Sequence, residues 1–378
     1  MSREPAAKPL VLDVRVPSED LSYPVRVGSG LLQRVGSEVA RGREPGGAAL
    51  VSDSNVHPLY GAAARASLEA AGFTVSEHLL PAGEASKSPE QLVRLVGELM
   101  AAGIGRRDVV VALGGGVVGD LAGLLAALFM RGIDFVQCPT SLLAQVDASV
   151  GGKVAVDLPA GKNLLGAFHF PRSVIIDTTV LQTLPDGELG CGLAEMLKHG
   201  ALFSAEHFEQ LVEHADAVYR RDATILPRLV ATSVALKSAC VSRDPLELAN
   251  AGKGRVLLNL GHTVGHAIES VSGYALRHGE AVALGLRAAA RLSTARGLAD
   301  KGLEAKMVEA LEALRLPVQL DAWLSGERGH AVERAMANDK KRAGGTVTYI
   351  GLAAIGEPRM LQLAPAEIMG LLRARAPR

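Results

Sequence analysis

Cysteine is scarce in this chain of 378 residues: there are three, Cys138, Cys191 and Cys240, far apart and without CxxC spacing. An odd, scattered set argues against a disulfide framework or a zinc knuckle and fits a reducing cytoplasm. Aromatic residues are also few, with one Trp, five Tyr and seven Phe, which argues against a base-stacking surface. Neither sign of charge is in excess: 40 Lys and Arg balance 40 Asp and Glu. Such a chain has no global field to draw in nucleic acid or anionic lipid, and neither is expected as a partner. The first residues carry charges without a long apolar run or a cleavage-like site, so no signal peptide is expected. One stretch, 109–130, is apolar enough to suggest a membrane span, but Gly114, Gly115, Gly116, Gly119 and Asp120 interrupt it. A buried strand, a glycine turn and a buried helix account for it better. What remains is a globular composition, 48% hydrophobic and 21% charged, long enough for two domains.

Along the first half, strand and helix patterns alternate. LVLDVRV, YPVRVG, AALVSD, DVVVALGGG, FVQCPTS and SVIIDTT read as strands, and 58–71 and 88–102 as helices. Alternation of this kind predicts a mostly parallel sheet flanked by helices. After about Thr183, amphipathic helical segments dominate, at 187–201, 205–219, 223–241, 262–272, 280–295 and 303–314, and TVTYIGL is the lone strand pattern. The expected division is therefore an α/β domain over 1–183 and a mainly α-helical domain over 184–378.

Three stretches could carry chemistry. The first, GGGVVGD at 114–120, contains GxGxxG between a strand and a helix, where backbone N–H groups can approach a phosphate. It departs from the standard dinucleotide turn, because Asp134 precedes the next strand instead of following it. The second, 145–163, is glycine-rich, holds Lys153 and Lys162, and shows no helical period. It reads as a long ordered loop over a site, with lysines suited to phosphate. The third, GHTVGHAIE at 261–269, sets His262 and His266 four apart on one helix face, with His278 soon after. That spacing suits two ligands of one divalent metal, or one ligand and one acid or base. Glu195, an acid among apolar neighbours, adds a fourth candidate, and a His2Glu set is of the catalytic-zinc type. Spacing leaves His266 and His278 open as the third ligand. Cations recur near these stretches: Lys87, Arg131, Lys198, Lys237, Arg255, Lys340 and Lys341.

In order, PAGE at 81–84 leading to Lys87, GGGVVGD, PTSLLAQVDASVGGK, GKNLLGAFHFP, GLAEMLKHG, LNLGHTVGHAIE, HGE and NDKK together resemble the 3-dehydroquinate synthase family of sugar-phosphate cyclases, from about Tyr23 to Met369. The resemblance implies a dehydroquinate synthase-like fold, with an α/β nucleotide-binding domain followed by a mainly helical metal-binding domain. It implies NAD and one divalent metal, zinc or cobalt, in a cytoplasmic, homodimeric lyase of the shikimate pathway that leads to chorismate and the aromatic amino acids. The substrate would be 3-deoxy-D-arabino-heptulosonate 7-phosphate. Transient oxidation of its C5 carbinol, β-elimination of phosphate, re-reduction and an intramolecular aldol step would give 3-dehydroquinate.

Carried over by position, the resemblance makes Glu195, His262 and His278 the metal ligands and His266 an acid/base or phosphate-contacting group. It places Asp53, Asn55, Glu84, Lys87, Gly115, Gly116, Val117, Gly119, Asp120, Thr140, Ser141, Lys153, Lys162, Asn163, Val180 and Thr183 around NAD. Substrate phosphate would meet Lys153, Asn259, His266, Lys340 or Lys341, and Arg131 from a neighbouring subunit. Its carboxylate would meet Lys237 and Arg255, with Asp147 and Lys198 beside the reacting hydroxyls. The chain departs from the family at Ser141, Ala148 and Gly187, and in a link from Lys237 to Arg255 about four residues longer than usual, which leaves the place of Glu247 open. Two other readings fit parts of the pattern: a cyclase acting on sedoheptulose 7-phosphate or an amino analogue, and a metal-dependent alcohol dehydrogenase. The former has no carboxylate for Lys237 and Arg255 to bind, and the latter has no need of a lysine-rich phosphate loop. A non-enzymatic metal- or nucleotide-binding module would leave the histidine and cation motifs idle.

Overall fold

A computed structural model describes residues 21–248, 254–338 and 345–374. The strand expected at 10–16, together with Lys340 and Lys341, lies outside the described residues.

Six strands form one parallel sheet: β1 (Val25–Gly28), β2 (Gly47–Asp53), β3 (Thr74–Leu80), β4 (Val109–Gly114), β5 (Asp134–Pro139) and β8 (Ser173–Asp177), in the order β1-β8-β5-β4-β2-β3. The run that reads as apolar throughout, β4, is central and wholly buried. Side chains alternate across a strand, so Val109, Val111 and Leu113 pack on one face and Val110 and Ala112 on the other. The first face meets α1 (Val35–Val39) and α2 (Ala62–Ala70). The second meets α3 (Pro89–Ala101) and α4 (Gly116–Leu128) through Leu95, Leu99, Leu121 and Leu125. Strand β4, a turn at Gly115 and helix α4 thus make up the apolar stretch 109–130, both halves of it buried in protein.

The stretch 145–163 is not the long loop that its glycines and lysines imply. A one-turn π-helix covers Ala144–Ala148, and β6 (Lys153–Leu158) pairs antiparallel with β7 (Gly161–Phe168). Val154 and Val156 drop into the α4 core cluster. Three apolar residues between a lysine and an aspartate are too few to register as a strand in the sequence, yet enough to anchor this hairpin.

The second half holds α5 (Asp186–Phe203), α6 (Ala205–Glu213), α7 (Ala215–Tyr219), α8 (Ile225–Arg243), α9 (His262–Val271), α10 (His278–Ala295), α11 (Leu303–Ala313), α12 (Gly326–Asn338) and α13 (Pro365–Arg373), with a hairpin of β9 (Val347–Ala354) and β10 (Glu357–Leu363). The expected single helix over 205–219 is two, separated at His214, whose φ of −102° and ψ of 15° leave the helical region. Helices α12 and α13 and strand β10 escape the sequence reading: α12 is polar on average, and β10 is largely exposed. Helix α5 is the axis of this half, with every residue from Leu189 to Leu202 buried. Among the described residues α8 is the one helix long and apolar enough to cross a membrane, and it packs its buried face on α5.

Candidate active site

Strand ends set one wall. In a parallel sheet the carboxyl ends of the strands open onto a crevice. After β2, Asp53 Oδ1 accepts the backbone N–H groups of Asn55 (2.8 Å) and Val56 (2.9 Å). After β4, Gly115 caps α4 in an extended conformation and Gly116 begins the helix, so its free N–H groups point into the crevice. Ser141 Oγ lies 3.6 Å from where a Cβ on Gly115 would sit, an ordinary van der Waals contact that brings the ends of β4 and β5 side by side. The Thr140 N–H donates to Gly114 O at 2.9 Å, which ties the β4 and β5 ends together. Val117 is half-buried, and Gly119 packs against Gln137. After β8, Thr183 Oγ1 meets Tyr60 Oη at 2.7 Å, and Tyr60 donates to Val180 O at 3.0 Å. Lys87 reaches Asp120 Oδ2 at 2.6 Å and also touches Asn163. Burial, opposed by Lys87, raises the Asp120 carboxyl to about 6. Lys162, from the hairpin, meets Glu269 at 3.1 Å and Glu84 at 3.8 Å. Apart from Lys153, the predicted nucleotide residues therefore lie along the carboxyl ends of the strands or on the hairpin that Lys87 and Lys162 tie to them.

Helices α5, α9 and α10 set the other wall. Glu195, fully buried on α5, has Oε1 3.4 Å from His278 Nε2 and 3.6 Å from His262 Nε2. Its two oxygens accept no hydrogen bond among the described residues, although the Lys198 ammonium lies against Oε2. Each imidazole is held by its other nitrogen. His262 Nδ1 donates to Leu260 O at 3.1 Å, and His278 Nδ1 faces Glu269 Oε2 at 3.3 Å. That arrangement leaves both Nε2 atoms for a metal and fixes their direction. Burial and Lys198 depress His262 to about 3, which keeps it neutral, the form that ligates. Burial lowers His278, but Glu195 and Glu269 outweigh it and raise the group to about 9. Burial raises the Glu195 carboxyl; Lys198 leads the opposing groups that hold it well below its ordinary value. A buried carboxylate with Oε1 set between two pre-aimed imidazoles, and Lys198 only on its other oxygen, fits a divalent cation. His266 also belongs to the cluster: its ring centroid lies 4.9 Å from that of His262 and 5.6 Å from that of His278, and donor atoms of the three histidines fall within 4.8 Å of one another. It is the exposed member.

Asp147, Lys153, Lys237 and Arg255 gather where the π-turn and the start of β6 meet α8 and the link that follows it. Asp147 Oδ1 pairs with Lys237 Nζ at 2.7 Å. Lys153 pairs with Glu247 from the longer link, whose φ of 55° is left-handed. Arg255 is buried, and its Nη1 donates to Gly151 O at 2.7 Å and Pro245 O at 2.8 Å. Asn259 is exposed at the end of a 3-10 turn that leads into α9. Arg131 does not join them: it stands on an exposed turn just before β5, at the amino ends of the strands, where Met130, Arg131 and Gly132 all have positive φ. Three residues at the site were not singled out in the sequence. Glu269 orients His278, and its place seven after His262 on one helix face was the available signal. His199 and Ser233 are buried beside Asp147; His199 follows Glu195 by four, and Ser233 carried no signal.

Two family models match consecutive parts of the chain: "3-dehydroquinate synthase N-terminal" over residues 77–191 and "3-dehydroquinate synthase C-terminal" over 192–342. A 3-dehydroquinate synthase of Symbiobacterium thermophilum is 46% identical over 331 residues, 87% of this chain and 90% of the relative. One from Caulobacter vibrioides is 45% identical over 353 residues, 92% and 94% of the two chains. Among solved structures, a 2-epi-5-epi-valiolone synthase of Streptomyces hygroscopicus subsp. jinggangensis, with NAD+ and Zn2+ bound, superposes with a TM-score of 0.83 at 28% identity, covering 95% of this chain and 98% of the other. A 2-deoxy-scyllo-inosose synthase complexed with carbaglucose-6-phosphate, NAD+ and Co2+ gives a TM-score of 0.81 at 26% identity, covering 93% and 96%. With both halves matched by its models and relatives aligned over most of its length, this chain belongs to the 3-dehydroquinate synthase family.

Proposed function

We propose that this protein is a 3-dehydroquinate synthase, a carbon–oxygen lyase that releases phosphate from 3-deoxy-D-arabino-heptulosonate 7-phosphate and closes the carbocycle of 3-dehydroquinate. The observation that carries the reading is the meeting of Glu195, His262 and His278 beside the lysine-bearing cluster of Lys198, Asp147 and Lys237. Glu195, His262 and His278 would hold one divalent ion, zinc or cobalt, and the strand-end wall would hold NAD. When bound, the two supply a Lewis acid for the substrate hydroxyl and a reversible hydride acceptor for its carbon.

The chain's own residues do the rest. Residues 1–183 present the nucleotide wall, and 184–378 present the metal and most of the substrate contacts. Lys237 and Arg255 bring positive charge to the substrate carboxylate, while Lys153, Asn259 and His266 serve the phosphate. His266, the exposed member of the histidine cluster, serves as the acid or base toward the leaving group. Lys198, as an ammonium, donates to the hydroxyls that become carbonyls, and Asp147, as a carboxylate, accepts from them. Arg131, exposed on its left-handed turn, would serve the phosphate of a neighbouring subunit's site, in a homodimer. Three buried free cysteines suit the cytoplasm.

The test is phosphate release from the heptulosonate phosphate with NAD present in catalytic amount, run beside sedoheptulose 7-phosphate. Rapid release from the first alone, without accumulation of NADH, is expected. Equal or faster release from sedoheptulose 7-phosphate assigns the chain to a neighbouring cyclase activity, and stoichiometric NADH assigns it to a dehydrogenase.

A further inference from the structure

Asp147 stands where its own π-turn meets α5 and α8. Its Oδ1 takes the Lys237 ammonium at 2.7 Å, and its main-chain oxygen takes the same ammonium at 2.5 Å. His199 Nε2 lies 3.8 Å from that Oδ1 and has no hydrogen-bond partner among the described residues. The other imidazole nitrogen, Nδ1, is 2.8 Å from Ser233 Oγ. His199 and Ser233 are both fully buried, so neither can touch a substrate. Ser233 and Lys237, four residues apart, share one face of α8.

The chemistry of this row limits what it can do. Were Nδ1 to carry the proton, the lone pair of Nε2 would face a carboxylate oxygen and remain an orphaned buried acceptor. With the Ser233 hydroxyl donating to Nδ1, the N–H sits on Nε2 and points at Asp147. The donor atoms of Asp147, Glu195 and His199 lie within 4.8 Å of one another. Even so, a second cation would compete with Lys198 and Lys237, which already lie against the two carboxylates. The row is therefore a donor chain aimed at one carboxylate, stopped about 1 Å short of a charge-assisted hydrogen bond.

We propose that His199, oriented by Ser233, is a positioning residue that takes up Asp147 when Lys237 turns from it to the carboxylate of the substrate. The inference rests on the reading of Lys237 as a substrate contact. Without a second donor, Lys237 would leave a desolvated carboxylate behind it, a strongly penalised state. With His199 in place the ammonium is exchanged for an imidazole N–H, and Asp147 keeps its aim at the reacting hydroxyls.

The experiment is steady-state kinetics of the full-length enzyme with NAD and metal present. Lys237→Ala is expected to raise KM for the heptulosonate phosphate, which establishes the contact on which the inference rests. His199→Phe, which keeps the bulk and removes the donor, is expected to raise KM about 10-fold, the value of one hydrogen bond to a charged group, with kcat changed less than about 3-fold. His199→Gln places an N–H near the position of Nε2 and is expected to restore KM to within about 3-fold of the parent. Ser233→Ala, a small deletion that spares the fold, is expected to raise KM less than His199→Phe does. A merely structural role would lower the melting temperature and kcat alike, and Gln would rescue neither. An unchanged KM in His199→Phe, or Gln no better than Phe, overturns the proposal. If His199→Phe does not fold, an unchanged KM in Ser233→Ala overturns it. If Lys237→Ala leaves KM alone, the reading of Lys237 fails, and the handover fails with it.

Discussion

Glu195 and His278 meet across α5 and α10 with Oε1 3.4 Å from Nε2, while Glu269 holds the opposite nitrogen of the same ring at 3.3 Å. One imidazole is thus clamped between a candidate ligand and its own orienting acid. The loss of metal should follow that geometry. His262→Ala, His278→Ala and Glu195→Gln are expected to leave the protein without a stoichiometric divalent ion after gel filtration, as read by elemental analysis. His266→Ala is expected to keep the ion and lose rate. Glu269→Gln is expected to weaken retention by about 10- to 100-fold, the usual effect of removing an outer partner. Loss of the ion in His266→Ala would instead make the ligand set the three histidines.

Backbone packing around the metal helices gives a second expectation. A Cβ on Gly285 of α10 would lie 1.8 Å from Gly261 O, just before α9, and one on Gly265 would lie 2.9 Å from Ala281 O. The helices carrying His262 and His278 approach this closely because no side chain intervenes. Gly285→Ala is therefore expected to cost more than about 3 kcal/mol in urea denaturation, as backbone on both sides must shift. Gly370→Ala, on α13 with no heavy atom within 4 Å of the new carbon, is expected to add about 0.5–1 kcal/mol.

A third expectation concerns acid. Burial, with a smaller push from His199, lowers His207 to about 4 from its ordinary 6.5, and neither ring nitrogen has a hydrogen-bond partner among the described residues. The unfolded chain binds this proton more tightly than the folded one does. Stability from this group is therefore full above pH 6.5, falls as pH drops from 6.5 toward 4, and is level below that. The total is on the order of 3 kcal/mol. Thermal melting of His207→Leu across that range is expected to show a shallower pH dependence than the parent.

Much of the sheet was legible because its strands are covered on both faces. Val109, Val110 and Val111 face opposite cores yet are all apolar, so the run stands out without any knowledge of its neighbours. The β6–β7 hairpin was hidden for the opposite reason. Its outer strand is mostly exposed, with Leu164 and Leu165 uncovered, and only tertiary contact with α4 reveals which residues it buries. At the site, His262 and His266 announced themselves by helical spacing, and Glu195 by being an acid in apolar company. The row from Ser233 to Asp147 was not legible, because it joins 147, 199 and 233 from three elements. A serine on a long apolar helix carries no mark of the imidazole it will meet.

Five lysines of the cleft, Lys87, Lys153, Lys162, Lys198 and Lys237, each lie against a carboxylate of the same chain. To an approaching anion these pairs are closer to dipoles than to point charges, and their fields die away within a few ångströms. Substrate capture is then an ion exchange at contact, in which each carboxylate gives up part of its ammonium as the ligand arrives. The corollary is kinetic: kcat/KM should respond only weakly to added salt, unlike that of an enzyme that steers its substrate from afar. On the proposed reading, the same exchange run backwards would eject inorganic phosphate, with Glu247 placed to reclaim Lys153 as the product leaves.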